Sequence, residues 1–570
     1  MIKCCDKKKG NWSNYVEDGW GLVLDTFTYN DAGYIKSWTL CSSTGEEYNG
    51  ETILDLLAIL KNIKSSYGLK RETDFTKDIL VIYTDNFDKL YWFLKNYGIE
   101  NEFSFYFQMF EHIEFRECWY DDLETAGQIA AWAKFMIDTV FGPDKYFYLT
   151  PNQIPRKRMK KARNKLKDST AESIYPQSYA MYNKMRRAYF GGILFISNPK
   201  FVITEPIIEI DLKSAYIYCL LILKHCMSNG KLVDKSNWEY YLSSPTKASF
   251  GKYKIKYASV RKTISCYKNA NGERLKPNED ELYYEDEFYF TNTDLKIFLE
   301  NAVVFAVECE FIFEYDLDYL PKYVRDELVY EYSEKERLAK EKPNSEELRI
   351  QKVIVNGEYG DCCRDWTNDE EAFNRDRSDP IMAPQWGFWT TSYCKNLVLD
   401  LGNQLDGWFY SATDSIYCRE TEENYDKINA YNEKIRKKTK VFCDTFGYDY
   451  ETLKDLGTFV VKTHIKKFKA FGPNTYVYTR NDNTIVIRAS GCSKQYRKNL
   501  SEEEKEYFYS DECEYVPVGR LVRHYANEEK TSCIIDGKEY TSNGSYYDLV
   551  FEKEMADYMN LIENIMYPRN

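Results

Sequence analysis

Asp211-Leu-Lys-Ser-Ala-Tyr216 closes an apolar run, and Tyr410-Ser-Ala-Thr-Asp414-Ser415 closes another, so that each places a carboxylate at the end of a predicted buried strand. Between them, Lys352-Val-Ile-Val-Asn356-Gly-Glu-Tyr359-Gly360 carries its Lys, Asn and Tyr at the spacing of one helix face. Two carboxylates on neighbouring strands can bind two divalent metals. A helix with a Lys and a Tyr can hold a nucleotide above them. These stretches therefore indicate a nucleotidyl transferase.

Each of these residues also has a purely structural interpretation. An isolated Asp after a strand usually caps a turn. Tyr216 could be a core residue, and Lys352 could be an ordinary surface lysine. The order and spacing of the three stretches favour the chemical interpretation over chance.

Bulk composition bounds the remaining possibilities. A chain of 570 residues is long enough for three or more domains, and 51 Tyr exceed what cores alone need. The 16 Cys contain no Cys-x-x-Cys pair and only four His are present, so the sequence predicts no zinc site. Free thiols in a large chain favour the reducing cytoplasm. We find no signal peptide and no apolar run that could span a membrane, so no membrane partner is expected.

The net charge of -13 argues against a nucleic-acid partner, but the basic residues are clustered. Eleven Lys and Arg lie between Ile154 and Arg187, and nine lie between Phe459 and Leu500. A polyanion responds to the nearby field rather than to the total charge. Solvated helix or hairpin faces are the alternative, and the position of both runs beside the candidate core favours contact with a DNA backbone.

Hydrophobic patterning predicts an N-terminal α/β layer of about 150 residues. Between the candidate motifs it predicts hairpin strands, a helix, and an antiparallel helical pair with Ser345 capping the second helix. The predicted elements are strands at 20–27, 34–40, 79–83, 250–257 and 283–290, and helices at 53–63, 89–97, 124–141, 293–300, 330–342 and 345–355.

Four motifs in order carry a family resemblance: Tyr189-Phe-Gly191-Gly192 and the three stretches quoted above. They resemble the Tyr-x-Gly-Gly segment and motifs A, B and C of B-family DNA polymerases, most closely the protein-primed subfamily of small phages. The resemblance spans roughly residues 20–545. It implies an α/β and α+β multidomain fold, with a right hand of palm, fingers and thumb behind an N-terminal RNase H-like 3′-5′ exonuclease-type domain.

The resemblance also implies a division of the chain. The expected parts are an exonuclease-like domain with a basic linker (1–185), palm with motif A (186–222), an inserted subdomain of the terminal-protein type with palm strands (223–328), fingers with motif B (329–360), a short second insertion (361–380), palm with motif C (381–458), thumb (459–545) and a C-terminal extension (546–570).

Carried over residue by residue, the resemblance makes Asp211 and Asp414 the catalytic carboxylates that hold two Mg²⁺ ions, for which Mn²⁺ can substitute. Tyr216 becomes the gate that excludes a 2′-hydroxyl. The expected nucleotide-binding residues are Leu212, Tyr216, Lys352, Asn356, Tyr359, Lys340 and Arg337. The expected DNA-binding residues are Tyr189, Gly191, Gly192, Thr413, Lys466, Lys467, Lys469 and Tyr476.

The sequence departs from the family at the polymerase site. Motif C has Ala412 where the family has its first Asp, a residue that supports the site electrostatically. Ala412 is either natural variation or an introduced inactivating change. At the palm–thumb border, Asn474 replaces the Lys of Lys-x-Tyr, although neighbouring lysines can still serve phosphates; a basic hairpin face is the alternative.

The exonuclease motifs depart further. Asp25, Asp88, Tyr120 and Glu124 match remnants of those motifs, but Phe27 replaces a metal-binding Glu. An apolar ring cannot coordinate a metal. We therefore expect weak or absent proofreading.

Three hypotheses remain. The first is a template-directed DNA polymerase with template and primer DNA, dNTPs and a terminal priming protein as partners, replicating a phage or mobile-element genome in the host cytoplasm. The second is a template- or primer-independent nucleotidyl transferase, suggested by the altered motifs. The third is a catalytically dead DNA-binding protein, which the retention of six motif residues argues against.

Overall fold

The computed structural model describes most of the chain between residues 153 and 489 and parts of the two ends. The described residues are 2–4, 12–16, 18–29, 32–69, 71–73, 76–84, 90, 109–110, 113–117, 125–135, 153–275, 283–343, 345–489, 500–510, 513, 519–525, 532–535, 538–541 and 545–551. They form two compact units. Unit 1 contains residues 1–149, 491–493 and 517–570, and unit 2 contains 150–490 and 494–516.

Unit 1 is built on an eleven-stranded sheet that combines strands from both ends of the chain. Its helix Ile53–Ser66 begins at Thr52, whose hydroxyl accepts a hydrogen bond from the Asp55 amide at 3.1 Å. The strands of unit 1 are Ile2–Cys4, Trp12–Val16, Trp20–Tyr29, Ala32–Ser42, Glu47–Gly50, Arg71–Thr73, Thr76–Thr84, Met109–Phe110, Ile113–Glu117, Gly519–Tyr525, Ser532–Ile535, Lys538–Thr541 and Ser545–Phe551; its helices are Ile53–Ser66 and Ala126–Phe135.

Unit 2 is centred on an eight-stranded antiparallel sheet, which we call the palm sheet. Side chains alternate along its strand Ile207–Leu212, the motif A strand: Ile208 and Ile210 face the helices, while Ile207 joins an aromatic cluster on the opposite face. The other palm strands are Ile193–Ile196, Val202–Ile203, Trp408–Thr413, Ser415–Arg419, Phe459–Gly472, Thr475–Arg480 and Ile485–Ala489.

A second sheet of unit 2 occupies the stretch between motifs A and B, where an inserted subdomain is expected. A fully buried ion pair joins Asp294 in its helix Asn292–Asn301 to Lys395 in the long helix Pro384–Gly402, at 2.7 Å. The strands of this sheet are His225–Cys226, Lys231–Val233, Lys247–Val260, Tyr284–Thr291 and Ala302–Asp318.

The predicted helical pair consists of fingers helix 1, Lys322–Glu341, and fingers helix 2, Glu346–Cys362. The Ser345 hydroxyl caps the second helix by accepting from the Leu348 amide at 3.2 Å, as predicted. The remaining helices of unit 2 are Gln153–Leu166, Thr170–Ile174, Tyr179–Arg186, Ala215–Ile222, Glu370–Ser378, Glu422–Phe446, Tyr450–Leu453 and Glu502–Tyr507, with 3₁₀ turns at Lys235–Leu242 and Lys262–Ile264.

The expected thumb (459–545) and the expected C-terminal extension (546–570) both need correction. Strands Phe459–Gly472, Thr475–Arg480 and Ile485–Ala489 extend the palm sheet rather than forming a separate thumb, whereas Gly519–Tyr525 and Ser545–Phe551 join the sheet of unit 1. The other proposed domain boundaries stay predictions.

The basic helix Gln153–Leu166 is also less available to DNA than expected. Arg156 pairs with Asp376 at 2.6 Å and Arg158 with Glu327 at 2.6 Å, while Arg163 donates to the Pro380 carbonyl at 2.6 Å. Much of the charge in this run therefore packs the helix against its neighbours.

Candidate active site

Asp211 and Asp414 lie on adjoining parts of the palm sheet. Asp211 pairs directly with Ser415 across the sheet, and Asp414 occupies the turn of the motif C hairpin, which joins Trp408–Thr413 to Ser415–Arg419. The Leu212 amide donates to the Asp414 carbonyl at 3.0 Å and fixes the two segments together. Both predicted catalytic carboxylates are thus brought to one place.

The electrostatics of this pair suit a cation. Burial, together with the charge of Asp211, raises the pKa of Asp414 to about 7. Burial also raises the pKa of Asp211, although the Lys462 ammonium at 3.4 Å from Asp211 Oδ2 opposes that shift. The position of Lys462 shows that the carboxylates attract a cation. Their oxygen donors and negative charge suit a hard divalent ion such as Mg²⁺. Within the described ranges, no group of three or more acidic, His or Cys side chains could hold a metal together, so the site depends on two carboxylates.

The Tyr-x-Gly-Gly segment packs directly against the motif C turn. Ile193 pairs with Thr413, which has a left-handed φ of 60°. A Cβ at Gly192 would lie 2.8 Å from the Thr413 Cα, so only glycine permits this approach. Gly191 has no such neighbour and is exposed.

Three tyrosines from three motifs meet beside the carboxylates. The Tyr216 and Tyr359 rings stack with centroids 4.0 Å apart and an interplanar angle of 10°. The Tyr359 and Tyr189 hydroxyls lie 3.0 Å apart, and the Tyr359 hydroxyl also contacts Thr391. Burial raises the pKa of both stacked tyrosines, so their hydroxyls stay protonated. The structure therefore joins motifs A and B at the predicted nucleotide position.

The basic residue that reaches motif A from fingers helix 1 is Lys335, which the sequence analysis missed. Its ammonium donates to the Ser214 hydroxyl, and burial lowers its pKa, with Lys213 and Lys352 adding repulsion. Lys352 and Asn356 are exposed one turn apart on fingers helix 2. Lys335 thus contacts Ser214 of motif A and lies near enough to Lys352 for the two charges to repel.

Arg337 and Lys340 point elsewhere, which corrects their predicted role. Arg337 pairs with Glu334 and Glu341 on its own helix, and both basic residues line a surface cleft of about 530 Å³ that Lys213 of motif A also lines. Lys335 replaces them as the candidate phosphate ligand.

Leu212 also differs from expectation, because its amide is already used by the Asp414 carbonyl. The amides at the start of helix Ala215–Ile222 are better donors to a triphosphate, since the first turn of a helix leaves its N–H groups without intrahelical acceptors. Ser214 begins this helix in a left-handed conformation, with φ of 48°.

The lysines predicted at the palm–thumb border fall into two groups. Lys469 is buried, and its ammonium donates to the Ser510 and Cys513 carbonyls at 2.8 and 3.0 Å, so it does not face DNA. Lys467 pairs with Glu506, whereas Lys466 is exposed and contacts Asn483. Of the three, only Lys466 keeps the exposure expected of a residue that binds a phosphate.

Tyr476 lies in the aromatic cluster of the palm sheet. Its hydroxyl is 3.1 Å from that of Tyr417, and its ring centroid is 5.0 Å from that of Tyr410. Ala412 is partly buried against the same cluster. The position of the family's first motif C Asp is therefore apolar in this chain.

A basic cleft opens on the outer side of the Tyr-x-Gly-Gly segment. It has a volume of about 390 Å³ and is lined by Gly191, Gly192 and the three exposed cations Lys262, Lys268 and Arg274. These cations lie in one short stretch of the chain, outside both basic runs, and the sequence analysis missed it.

Comparison with known proteins agrees with this geometry. Residues 120–384 match the family model described as DNA polymerase type B, organellar and viral. Phi29 DNA polymerase in its orthorhombic crystal form aligns with a TM-score of 0.54 and 12% identity over 93% of this chain and 100% of that chain. Its complex with primer-template DNA aligns with a TM-score of 0.55 and 13% identity over 93% and 100%.

The resemblance to B-family DNA polymerases is confirmed. The right-hand fold expected from the motifs is confirmed with it. No curated protein matches the chain in sequence.

Only some of the exonuclease-type residues belong to the part of the chain that the structure describes. Asp25 and Phe27 lie on the strand Trp20–Tyr29. Asp88, Tyr120 and Glu124 lie outside the described residues, so their predicted arrangement stays untested. Among the helices that the structure describes, none is long and apolar enough to cross a bilayer.

Proposed function

We propose that this protein is a template-directed DNA polymerase that adds dNTPs by a two-metal mechanism. The observation that carries the proposal is the meeting of Asp211 and Asp414 at one end of the inner palm strands, beside the Tyr216–Tyr359 stack. The match to phi29 DNA polymerase, whose structures include a complex with primer-template DNA and incoming nucleotides, supports DNA and dNTPs as the partners.

Asp211 and Asp414 would hold two Mg²⁺ ions, which would activate the primer 3′-hydroxyl and offset charge on the leaving pyrophosphate. The remaining demands of phosphoryl transfer are position and charge neutralisation. Lys335 and Lys352 bind the triphosphate from the fingers helices, and the amides of helix Ala215–Ile222 bind it from the palm. The Tyr216 ring lies under the sugar and excludes a 2′-hydroxyl.

We further propose that replication is primed by a protein hydroxyl and serves a phage or mobile-element genome. The support is the resemblance of Tyr189–Gly192 to the protein-primed subfamily and the long insertion between motifs A and B. A terminal protein is then a partner of the inserted subdomain.

Primer extension on a short DNA template with Mg²⁺ and labelled dNTPs tests the polymerase proposal. The chain as it stands should extend the primer only when template is present, and Asp414→Ala should abolish extension. If only Ala412→Asp extends the primer, the chain is an inactivated polymerase. If extension proceeds equally without template, the protein is a template-independent transferase instead.

We also propose that proofreading is weak or absent, because Phe27 occupies the place of a metal-binding Glu. Replacing both Asp25 and Asp88 with Ala should leave 3′-5′ degradation of single-stranded DNA unchanged. A clear loss of degradation in that variant would contradict this view.

A further inference from the structure

Glu209 is an acidic residue of the motif A strand that no motif assigns. It precedes Asp211 by two positions, so its side chain lies on the same face of the palm sheet, about 7 Å along the strand. The alternate residues, Ile208, Ile210 and Leu212, are buried on the opposite face. Glu209 and Asp211 therefore form a row of two carboxylates on the catalytic face.

The carboxylate of Glu209 is held in place. The Tyr417 hydroxyl donates to Glu209 Oε1 at 2.8 Å, and Tyr417 is itself almost fully buried. The Tyr476 hydroxyl lies 3.1 Å from that of Tyr417 and completes the chain of contacts. The Glu209 carboxylate is thus positioned by the hydroxyl of Tyr417, which in turn contacts the hydroxyl of Tyr476.

The position that carries charge in the related polymerases is uncharged here. Ala412 pairs with Ser415, which in turn pairs with Asp211, so residues 412 and 211 belong to one cross-strand row. The methyl group of Ala412 packs against the aromatic cluster. The row that contains Asp211 therefore lacks the charge that the related polymerases have at position 412. The next row on the same face contains the carboxylate of Glu209.

We propose that Glu209 supplies the electrostatic support for the metal-binding carboxylates that residue 412 does not supply. This inference rests on the proposed polymerase function. Glu209 is a positioning residue and not a ligand, because the described residues contain no group of three acidic, His or Cys side chains able to hold a metal.

The size of the effect follows from the separation. A unit charge about 7 Å from a divalent cation changes its binding by about sevenfold in water and by about three-thousandfold at an effective dielectric constant of about 20. Glu209 and Asp211 are both partly exposed, so we expect an effect near the lower limit, about tenfold. An aspartate at position 412 would return a charge to the row of Asp211. Restoring it should therefore compensate for the loss of Glu209.

The test is Mn²⁺ binding followed by electron paramagnetic resonance, in a complex with template, a dideoxy-terminated primer and dNTP that cannot turn over. Glu209→Gln should weaken Mn²⁺ binding about tenfold, and Glu209→Gln combined with Ala412→Asp should return it to within about threefold of the parent. The Mg²⁺ concentration for half-maximal primer extension should shift in the same order. Unchanged binding in Glu209→Gln, or no recovery in the double variant, would overturn the inference.

Two controls separate charge from structure. Tyr417→Phe removes the hydrogen bond but keeps the charge, so it should bind Mn²⁺ nearly as the parent does; equal weakening in Tyr417→Phe and Glu209→Gln would mean a structural role and refute the proposal. Glu205→Gln removes a carboxylate just ahead of the same strand, where it pairs with Arg419, and should have no effect.

Asp414→Asn distinguishes failure of this inference from failure of the proposed function. Loss of Mn²⁺ binding in Asp414→Asn with no change in Glu209→Gln would overturn only the role of Glu209. Parent-like binding in both variants would overturn the metal site itself and, with it, this inference.

Discussion

At the residue scale, the main feature is a pair of partly buried carboxylates, Asp211 and Asp414, that lie close enough for their charges to repel. The pKa of Asp414, raised to about 7, means that the metal-free fold favours its protonated form. Because an unfolded Asp titrates near 3.9, folding becomes less favourable as pH rises from about 4 through about 7.

We therefore predict that Asp414→Asn stabilises the metal-free protein at pH 8, by up to about 4 kcal/mol in the free energy of unfolding of unit 2. The gain should shrink as the pH falls to 5, because the parent carboxyl is then largely protonated. Thermal unfolding with a chelator measures it. In saturating Mg²⁺ the order should reverse, since only the parent gains binding energy; a pH-independent difference would contradict the assignment.

Tyr216 gives the second prediction at this scale. Tyr216→Val removes the ring that stacks on Tyr359, so ribonucleotides should be accepted and dNTP selectivity should fall by about 100-fold. Competing dNTP and rNTP incorporation measures the ratio. Tyr216→Phe keeps the ring and should retain the selectivity of the parent; if Tyr216→Val discriminates as well as the parent, Tyr216 is not the gate.

Lys335 and Arg337 make a matched pair on fingers helix 1. Lys335→Ala should raise the KM for dNTP about tenfold or more, because a buried cation is removed from the phosphate side. Arg337→Ala should change KM little, since Arg337 pairs with glutamates on its own helix. Steady-state incorporation of one dNTP distinguishes them, and equal effects would restore Arg337 as a phosphate ligand.

At the element scale, the strand Phe459–Gly472 ties the palm sheet to helix Glu502–Tyr507 and the turn after it. Lys469→Met would leave the Ser510 and Cys513 carbonyls without this donor, at a cost of about 1–3 kcal/mol in the free energy of unfolding. Chemical denaturation measures that loss. Lys466→Met removes an exposed lysine from the same strand and should be neutral for stability.

DNA affinity provides the contrasting measurement for the same pair of lysines. Lys469→Met should leave the salt dependence of DNA binding unchanged, because its ammonium does not face DNA. A smaller salt slope in Lys469→Met than in the parent would show that the buried assignment fails.

Local signals in the sequence predicted the elements but not their orientation. The apolar runs before Asp211 and Asp414 and the Ser345 cap are local features, and each appears as expected. Which face of fingers helix 1 meets the palm is a tertiary property. Because successive residues turn by about 100°, Lys335 and Arg337 point about 160° apart, and the sequence alone did not choose between them.

Lys469 was misassigned for a different reason. Strand alternation places Lys467 and Lys469 on the same face, and their pairing with Thr479 and Val477 is regular. Lys469 is buried because the turn that follows helix Glu502–Tyr507 covers it and accepts hydrogen bonds from its ammonium. That turn lies about 40 residues further along the chain, so no local pattern reveals the burial.

At the scale of the whole molecule, the chain has a net negative charge, but cations are concentrated in the basic cleft beside the Tyr-x-Gly-Gly segment. Removing Lys262, Lys268 and Arg274 together should weaken DNA binding and reduce the slope of log affinity against log salt, by about 0.9 for each lost phosphate contact. Fluorescence anisotropy over a salt series measures the slope.

Lys434, Lys437 and Lys440 on helix Glu422–Phe446 provide the matched control, because their removal changes net charge by the same amount. That triple variant should keep the slope of the parent. Equal losses in both triple variants would show that total charge, and not the basic cleft, governs binding.

The sheet of unit 1 has a consequence for biosynthesis. Strand Ser545–Phe551 pairs with Ala32–Ser42, so this sheet combines segments separated by about 500 residues of chain. At about 10 residues per second, a ribosome needs roughly 40 s after completing the first 149 residues to reach the last of these strands. During that interval the N-terminal strands lack their final neighbours, whereas most of unit 2 is already available to fold. In proteolysis of nascent chains of increasing length, the palm sheet should therefore become resistant to cleavage before residues 1–149 do.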